Sequence, residues 1–396
     1  MTAITLRTVI LRRKLLFFDK ATSNCDLREQ RAKAVLRFNS ANRNNRKYKA
    51  SFAPGLTMVF LMSTRSFWWL AEFKLTSKGI IVRKNGTLLT SEIITPIEIV
   101  KWLGYYILVR TVAGLRRMAY PSSPQIWFAP DTPRPWYVIW AAVSWAGFRF
   151  ARSETDADIH FYFDDSTWSA PLSSTFEYVN GRCTDISKSR VAEAFDEAVG
   201  YRLSVDPNVY DKLAVEKGQI NGAHDGRIVR CPAVAKTGKS YEKLVNATEN
   251  GMAVDLRTSI VGGKPVAVIR KTKPISKRFS IHNSTVKYLE VSEVFTAAET
   301  TLIEGFCAVM KLQWGALDVL RDRDDGRIYI VDVNKTDTGP AVDLTWRDRI
   351  KLTQALADAV AAYVSPGSTS TSASSPSITT SMAAASVSRP VSTAKE

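Results

Sequence analysis

Residues with strong metal-binding or redox chemistry are scarce in this chain of 396 residues. It has four cysteines, spread over positions 25, 183, 231 and 307, and only three histidines. Because no CxxC pair and no HExxH pattern occurs, the sequence argues against a zinc site and against a disulfide framework. Scattered cysteines instead fit a reducing cytoplasm, where we expect the protein to be located.

Long apolar runs are lacking as well. A membrane-spanning helix needs roughly 20 apolar residues, whereas the best candidate, residues 52–70, is interrupted by Pro54, Gly55 and Arg65. The apolar patch at residues 15–18 is too short for a signal peptide, and we expect no membrane span. The pattern GxxxxGK[ST] is also absent, which excludes a P-loop nucleotide site.

Acidic residues are outnumbered, since 54 Lys and Arg face 38 Asp and Glu, and the net charge is +16. Residues 1–50 alone hold thirteen basic and three acidic residues, a net +10. We interpret residues 1–60 as a basic, flexible arm that could contact nucleic acid or an anionic membrane. The arm has no organised motif, which argues against a nucleic-acid partner, and Met58 or Met62 is an alternative translation start. Residues 365–396 are rich in Ser, Thr and Ala and predict a disordered tail.

Residues 61–180 are rich in aromatic side chains and hold eight of the ten tryptophans. We expect these rings to form a core rather than a cofactor site. A hairpin that turns at Asn85-Gly86 precedes a helix at 96–118, with Ile97, Val100 and Leu103 on its apolar face. A strand (125–130), a helix (136–145) and two more strands (148–151 and 157–163) follow. This alternation predicts a parallel sheet in a small α/β domain.

Polar residues follow the last of these strands. Asp164, Asp165, Ser166 and Thr167 stand at a strand end, where open α/β sheets place ligands. Asp or Ser at such a place also caps helices. The sequence leaves both interpretations open.

Residues 181–364 predict a second, mixed domain. A helix at 188–199, capped by Asp185 or Ser187, ends at Gly200, and a strand at 213–217 ends in Lys217. A loop with Gly and Asn (218–226) separates it from a returning strand, an arrangement suited to holding phosphates. Strands at 252–261 and 265–270, a helix at 296–311 and a last helix at 344–364 complete this domain.

The stretch 314–340 predicts a hairpin with unusual chemistry. Two strands, 316–320 and 327–334, are joined by Asp324-Asp325-Gly326, a strong turn signal. Since side chains two apart on a strand share a face, Asp332 and Asn334 point together, and Asp318 can face them from the partner strand. These hard oxygen donors suit Mg²⁺. The alternative is a surface hairpin with polar ends, although apolar strands rarely bury carboxylates that have no partner.

From about residue 180 to 364, the order of these motifs resembles the ATP-grasp superfamily. The resemblance implies an α+β fold in which two subdomains sandwich the nucleotide, preceded by a small α/β domain at 61–180. The resemblance rests on five motifs in the family's order. They are a strand-end lysine (Lys217) with a glycine-bearing loop, an acidic-x-Arg strand (Asp255-Leu256-Arg257), a Gly262-Gly263 turn whose partner strand ends in Arg270, a second arginine (Arg278) followed by Asn283, and the hairpin with its acidic-x-Asn pair.

The resemblance also implies roles for individual residues. We expect the nucleotide to contact Lys217, Gly222, Glu242, Lys243 and Val245. Mg²⁺ would be held by Asp318, Asp332 and Asn334. The catalytic residues implied for the transferred phosphoryl group and the substrate carboxylate are Arg257, Arg270 and Arg278.

The expected activity is therefore an ATP- and Mg²⁺-dependent ligase that activates a carboxylate as an acylphosphate for attack by an amine or, less often, a thiol. Its substrates would be small molecules or peptides, and a homodimer is compatible with the sequence. Two alternatives stay open. One is an ATP-binding regulatory module without turnover, and the other is a nucleic-acid-associated protein that acts through the basic arm.

Overall fold

The computed structural model describes residues 69–364, except for positions 78, 84–87, 91–94, 224, 280–282 and 342. The predicted basic arm (1–60), the predicted tail (365–396) and the Asn85-Gly86 turn lie outside the described residues. The described residues all fall within one compact unit. The predicted boundary between residues 180 and 181 therefore stays a prediction.

The first part of the described chain contains two small sheets and two helices. Strands β1, β2 and β3 form an antiparallel sheet, while β4 lies between β5 and β6 in a parallel one. The predicted parallel sheet is thus confirmed. The elements are β1 (Phe73–Thr76), β2 (Gly79–Val82), β3 (Leu88–Leu89), α1 (Pro96–Ala119), β4 (Gln125–Pro130), α2 (Val138–Trp145), β5 (Arg149–Phe150), a 3-10 turn (Glu154–Asp156) and β6 (Ile159–Phe163).

Aromatic rings build the core of this part, as predicted. Trp102 stacks on Tyr106, which in turn stacks on Trp140 of α2 at 5.4 Å between ring centroids. The predicted apolar face of α1 is wrong, because Ile97, Val100 and Leu103 are all exposed. The helix instead buries the side that carries Tyr106, since the flat rings of α2 pack there.

The second part contains a large antiparallel sheet, with strand order β13-β12-β11-β14-β15 and β10 beside β11, and a small antiparallel sheet β8-β7-β9. The predicted α+β class is confirmed. The elements are α3 (Lys188–Val199), β7 (Leu213–Gly218), β8 (Arg227–Arg230), β9 (Lys239–Lys243), β10 (Thr248–Glu249), β11 (Met252–Val261), β12 (Lys264–Pro274), a 3-10 turn (Ile275–Lys277), β13 (Thr285–Leu289), α4 (Val291–Val294), α5 (Ala297–Met310), β14 (Trp314–Arg321), β15 (Ile328–Asn334) and α6 (Trp346–Val364).

Local signals account for the ends of these elements. Ser187 caps α3 by accepting a hydrogen bond from the Arg190 backbone N–H, and Gly200 ends it in the left-handed region with φ 77°. Thr296 and Glu299 form a capping box at the start of α5. The predicted hairpin is β14 and β15, and Gly326 in its turn has φ 73°.

The two faces of the large sheet have different neighbours. One face, with Leu256 and Val268, packs against α3 and α5. The other face packs against α2 and α6 around Val261 and Ala267. Farther along the strands, this second face becomes polar and lines a cavity. No helix in the described part of the chain is long and apolar enough to cross a membrane.

Candidate functional site

A cavity of about 470 Å³ lies between the small sheet β8-β7-β9 and the polar end of the large sheet. Ten of the eleven predicted site residues line it, so the fold brings together positions more than 100 residues apart in sequence. Their roles remain predictions. These ten residues are Lys217, Gly222, Glu242, Lys243, Val245, Arg257, Arg278, Asp318, Asp332 and Asn334.

The centre of the site is a row of charges that crosses three neighbouring strands. Arg257 on β11 is the register partner of Asp318 on β14, and Asp318 is the register partner of Asp332 on β15. The ladder shifts register directly after Asp318. Asn334 follows Asp332 by two positions and therefore lies on the same face. The predicted clustering of these oxygen donors on one face is present.

Each carboxylate of this row pairs with a cation. Asp318 Oδ1 accepts a hydrogen bond from Arg257 at 2.8 Å, and the other guanidinium nitrogen donates to Asp337 Oδ1 at 2.6 Å. Asp332 forms an ion pair with Lys188, the first residue of α3. Like charges placed opposite each other destabilise a sheet, and these cations offset that repulsion.

The ion pair of Asp318 changes its acidity. Burial alone raises the pKa of this carboxyl group, but the adjacent Arg257 guanidinium outweighs burial and holds the pKa at about 2. The two carboxylates near Arg257, Asp318 and Asp337, raise the pKa of the guanidinium despite its burial. Asp318 is therefore a permanent anion at neutral pH.

Lys217 and Glu242 form a second pair on neighbouring strands β7 and β9. The Lys217 Nζ lies 2.6 Å from Glu242 Oε2 and also donates to the Val331 carbonyl at 3.1 Å. Burial raises the pKa of Glu242, and the Lys217 charge opposes that shift. Lys217 thus links the small sheet to the hairpin β14–β15.

The loop after β7 reaches across the site. Gly222 has φ 73°, in the left-handed region that favours glycine. The neighbouring Asn221 accepts from Lys188 Nζ at 3.0 Å and donates its backbone N–H to Thr167 Oγ1 at 2.9 Å. Thr167 belongs to the polar group after β6, whose Asp164 caps the turn by accepting from the Ser166 N–H at 3.0 Å.

Two predicted residues contribute differently from the others. The Lys243 ammonium turns to the end of the hairpin, where it lies 2.7 Å from Asp322 Oδ2 and 2.9 Å from Asp325 Oδ2. Arg278 donates to the Val245 carbonyl at 3.1 Å, and burial lowers its pKa. The first contact ties β9 to the turn of the hairpin β14–β15. The second ties the residues after β9 to the 3-10 turn after β12, at one end of the cavity.

Arg270 is the predicted residue that the fold does not bring to the cavity. It lies on the face of β12 that carries Val268, and it pairs with Glu249 at 2.7 Å. Its neighbours Lys271 and Lys273 have the opposite orientation and line the cavity instead. Side chains alternate along a strand, so Arg270 and Lys271 face opposite sides of β12. Counting across the Gly262-Gly263 turn would align Asp255 with Arg270, but a register shift between Ser259 and Ile260 aligns it with Lys271.

Lys188 is the functional candidate that sequence reasoning missed. It stands at the first position of α3, where the helix dipole disfavours a positive charge. Its side chain is only 9% exposed, and Asp332, its partner, is 144 positions away. The signal available in the sequence was a lysine at the first position of a predicted helix, and this signal does not identify Asp332 as the partner.

The chemistry of the lining fits Mg²⁺ and a ligand rich in hydrogen-bond donors. Within the described ranges, no group of three or more His, Cys, Asp or Glu side chains could hold a metal. The candidate metal ligands are instead two carboxylates, Asp318 and Asp332, and the amide of Asn334. This smaller set suits Mg²⁺, which takes its remaining ligands from water and phosphate. Three buried oxygens of the lining have no hydrogen-bond partner among the described residues: Glu242 Oε1, Asp255 Oδ1 and Asn283 Oδ1. Such acceptors require a ligand that offers hydrogen-bond donors.

Solved structures that align with this chain include ATP-grasp enzymes, at low sequence identity. No protein-family model and no curated protein matches the chain. Among solved structures, the ATP-grasp ligase PsnB complexed with a minimal precursor aligns at 10% identity and a TM-score of 0.38, over 55% of this chain and 92% of that chain. D-alanine–D-alanine ligase from Bacillus anthracis aligns at 12% identity and a TM-score of 0.35, over 61% of this chain and 99% of that chain. An ATP-grasp RimK domain protein from Sphaerobacter thermophilus aligns at 12% identity, a TM-score of 0.36 and the same coverage.

Proposed function

We propose that this chain is an ATP- and Mg²⁺-dependent ligase that activates a carboxylate for attack by an amine or thiol. The observation that carries the proposal is the pair Asp318 and Asp332, two anions that face each other across β14 and β15 inside a cavity rich in cations. Such a pair is costly for folding and has an evident use as a divalent-metal site.

The residues divide the work by charge. Asp318, Asp332 and Asn334 would hold Mg²⁺, which neutralises phosphate oxygens. Lys217 and Lys188 line the same cavity and would contact the phosphates of the nucleotide. Positioning and charge neutralisation are what phosphoryl transfer mainly asks of a protein.

The adenine end of the site would be the strand β9 and the residues after it. Glu242 offers a buried oxygen without a hydrogen-bond partner among the described residues. Val245 lines a partly apolar part of the cavity wall with its backbone. Its carbonyl oxygen already accepts a hydrogen bond from Arg278. These groups are suited to bind the edge of a base.

The reacting carboxylate would lie beside Arg257 and Lys271. ATP, when bound, would supply the phosphoryl group that converts the carboxylate into an acylphosphate, and the amine or thiol would then displace phosphate. Arg257 offers a planar fork of N–H donors that suits a carboxylate or an acylphosphate, and Lys271 adds positive charge. The chain's part is to orient the carboxylate and stabilise the negative charge that develops.

Small molecules or peptides are the proposed substrates, and the cytoplasm is the proposed location. Cys183, Cys231 and Cys307 are free thiols and buried, which fits a reducing compartment. A homodimer remains a proposal too.

Calorimetry with the analogue AMPPNP and Mg²⁺ tests this function. We expect the wild type to bind and the double variant Asp332→Ala, Asn334→Ala to lose at least about tenfold in affinity. Asp358→Ala, which removes an exposed carboxylate from α6, should bind like the wild type. A folded wild type that does not bind AMPPNP would contradict the proposal.

A further inference from the structure

Both carboxylates of the candidate metal site are already neutralised by the protein's own cations. Lys188 pairs with Asp332, and Arg257 lies 2.8 Å from Asp318. A divalent ion placed between these carboxylates would lie next to two positive groups. Free Mg²⁺ therefore meets repulsion at this site as well as attraction.

The two cations differ in how firmly they are held. Arg257 bridges Asp318 and Asp337 with two separate nitrogens, and its side chain is 12% exposed. Lys188 sits on a flexible four-carbon stem, and its remaining contact is the Asn221 amide oxygen at 3.0 Å. Asn221 belongs to the loop that carries Gly222, next to the phosphate end of the proposed nucleotide site. Lys188 is the cation that can move with the least loss.

We infer that Lys188 makes metal binding dependent on nucleotide. In the free protein the Lys188 ammonium occupies the position of the metal at Asp332 and keeps Mg²⁺ out. Phosphate oxygens of a bound nucleotide attract the ammonium away, which frees Asp332 for the metal. This inference rests on the proposed function, because it takes Asp332 as a metal ligand and nucleotide phosphates as the new partner of Lys188.

The exchange has an energetic reason. Removing one partner of a buried ion pair is costly, because the other charge stays behind without a partner. Metal alone would strand the Lys188 ammonium, and nucleotide alone would strand Asp332. Metal and nucleotide together leave each charge with a partner. The two ligands should therefore raise each other's affinity by the same factor.

Mn²⁺ binding measured by electron paramagnetic resonance tests the inference without any turnover. We expect the wild type to bind Mn²⁺ weakly alone and about tenfold or more tightly in the presence of AMPPNP, after correction for the binding of Mn²⁺ to free AMPPNP. Lys188→Met keeps the length of the side chain but removes the charge. It should raise the affinity for Mn²⁺ in the absence of nucleotide and so reduce the coupling.

Lys236→Met is the matched control, because it removes a lysine that pairs with a buried carboxylate, Glu216, outside the cavity. Its nucleotide-free Mn²⁺ affinity should change far less than that of Lys188→Met. Lys188→Gln, which keeps an N–H donor for Asn221, serves as a second variant if methionine perturbs folding.

Two outcomes would overturn the inference: equal Mn²⁺ affinity of the wild type with and without AMPPNP, or unchanged Mn²⁺ affinity in Lys188→Met. Failure of the proposed function looks different, because AMPPNP itself would then not bind in calorimetry. If AMPPNP binds and Mn²⁺ binds equally well without it, the ligase proposal stands and only the role of Lys188 fails.

Discussion

The aromatic region around α1 and α2 and the charged cavity beside the large sheet are both buried, but by opposite chemistry. In the first, rings pack on rings, with Trp69 and Trp102 at 5.3 Å between centroids. In the second, the buried groups are ion pairs such as Arg257 with Asp318 and Lys217 with Glu242. The same chain therefore contains a conventional core and a region where charge replaces it.

Under the proposed function, the difference separates a region shaped by stability from a region shaped by a ligand. Burying an aromatic ring is a direct gain in the free energy of folding. Burying an ion pair costs desolvation that the pairing often only offsets, and apolar residues would frequently do as well. A fold with an aromatic core nearby has no structural need for a row of charges, so we attribute the row to what the cavity binds.

The largest expected effect follows from removing Arg257. Arg257→Ala leaves Asp318 and Asp337 buried without their shared cation, and we expect a loss of about 3–5 kcal/mol in the free energy of unfolding. Binding of AMPPNP with Mg²⁺ should weaken in the same variant. Urea unfolding and calorimetry measure the two effects.

A core substitution from the aromatic region sharpens this test. Phe163 is fully buried, and Phe163→Ala should also cost about 3–5 kcal/mol. Where it remains folded, however, it should bind AMPPNP like the wild type, because Phe163 does not line the cavity. Equal losses of AMPPNP affinity in both variants would mean that binding depends on the aromatic core as much as on the charged cavity.

Much of this organisation could be predicted from the sequence, because its signals are local. The hairpin β14–β15 follows from an Asp-Gly turn between apolar strands, and α3 follows from its cap at Ser187 and its end at Gly200. The shared face of Asp332 and Asn334 needs only the period of a strand.

The rest depends on partners that are distant in sequence. Lys188 gains its role from Asp332, 144 positions away, and nothing beside Lys188 in the sequence marks that contact. Arg270 and Lys271 are both basic and adjacent, so the sequence alone does not tell which of them faces the cavity. Only the register of β12 against β11 decides which of the two faces the cavity.

A second prediction concerns the pH dependence of stability in the charged region. Burial raises the pKa of Asp255 to about 6, and the nearby Asp318 charge acts in the same direction. The folded protein therefore keeps this proton at pH values where the unfolded chain has lost it. The contribution of Asp255 to stability should fall by about 3 kcal/mol as pH rises from about 4 to 6, and then level off.

Asp255→Asn checks the assignment, since asparagine has a similar shape and does not titrate in this range. The difference in unfolding free energy between wild type and variant, measured in urea across pH 4.5–7, should grow in favour of the variant as pH rises. The other charged groups near Asp255 are Arg257, Asp318, Lys271 and Lys273. A pH-independent difference would mean that Asp255 does not titrate between pH 4.5 and 7.

The smallest expected effect comes from Arg270, and it tests the division between the two faces of β12. Arg270→Ala breaks a partly exposed ion pair with Glu249, so we expect a loss of about 0–1 kcal/mol and unchanged AMPPNP affinity. Lys271→Ala, one position along the strand, should instead weaken AMPPNP binding several-fold, because Lys271 lines the cavity and forms no ion pair with a described residue. Loss of AMPPNP binding in Arg270→Ala, with no loss in Lys271→Ala, would mean that Arg270 and not Lys271 faces the cavity.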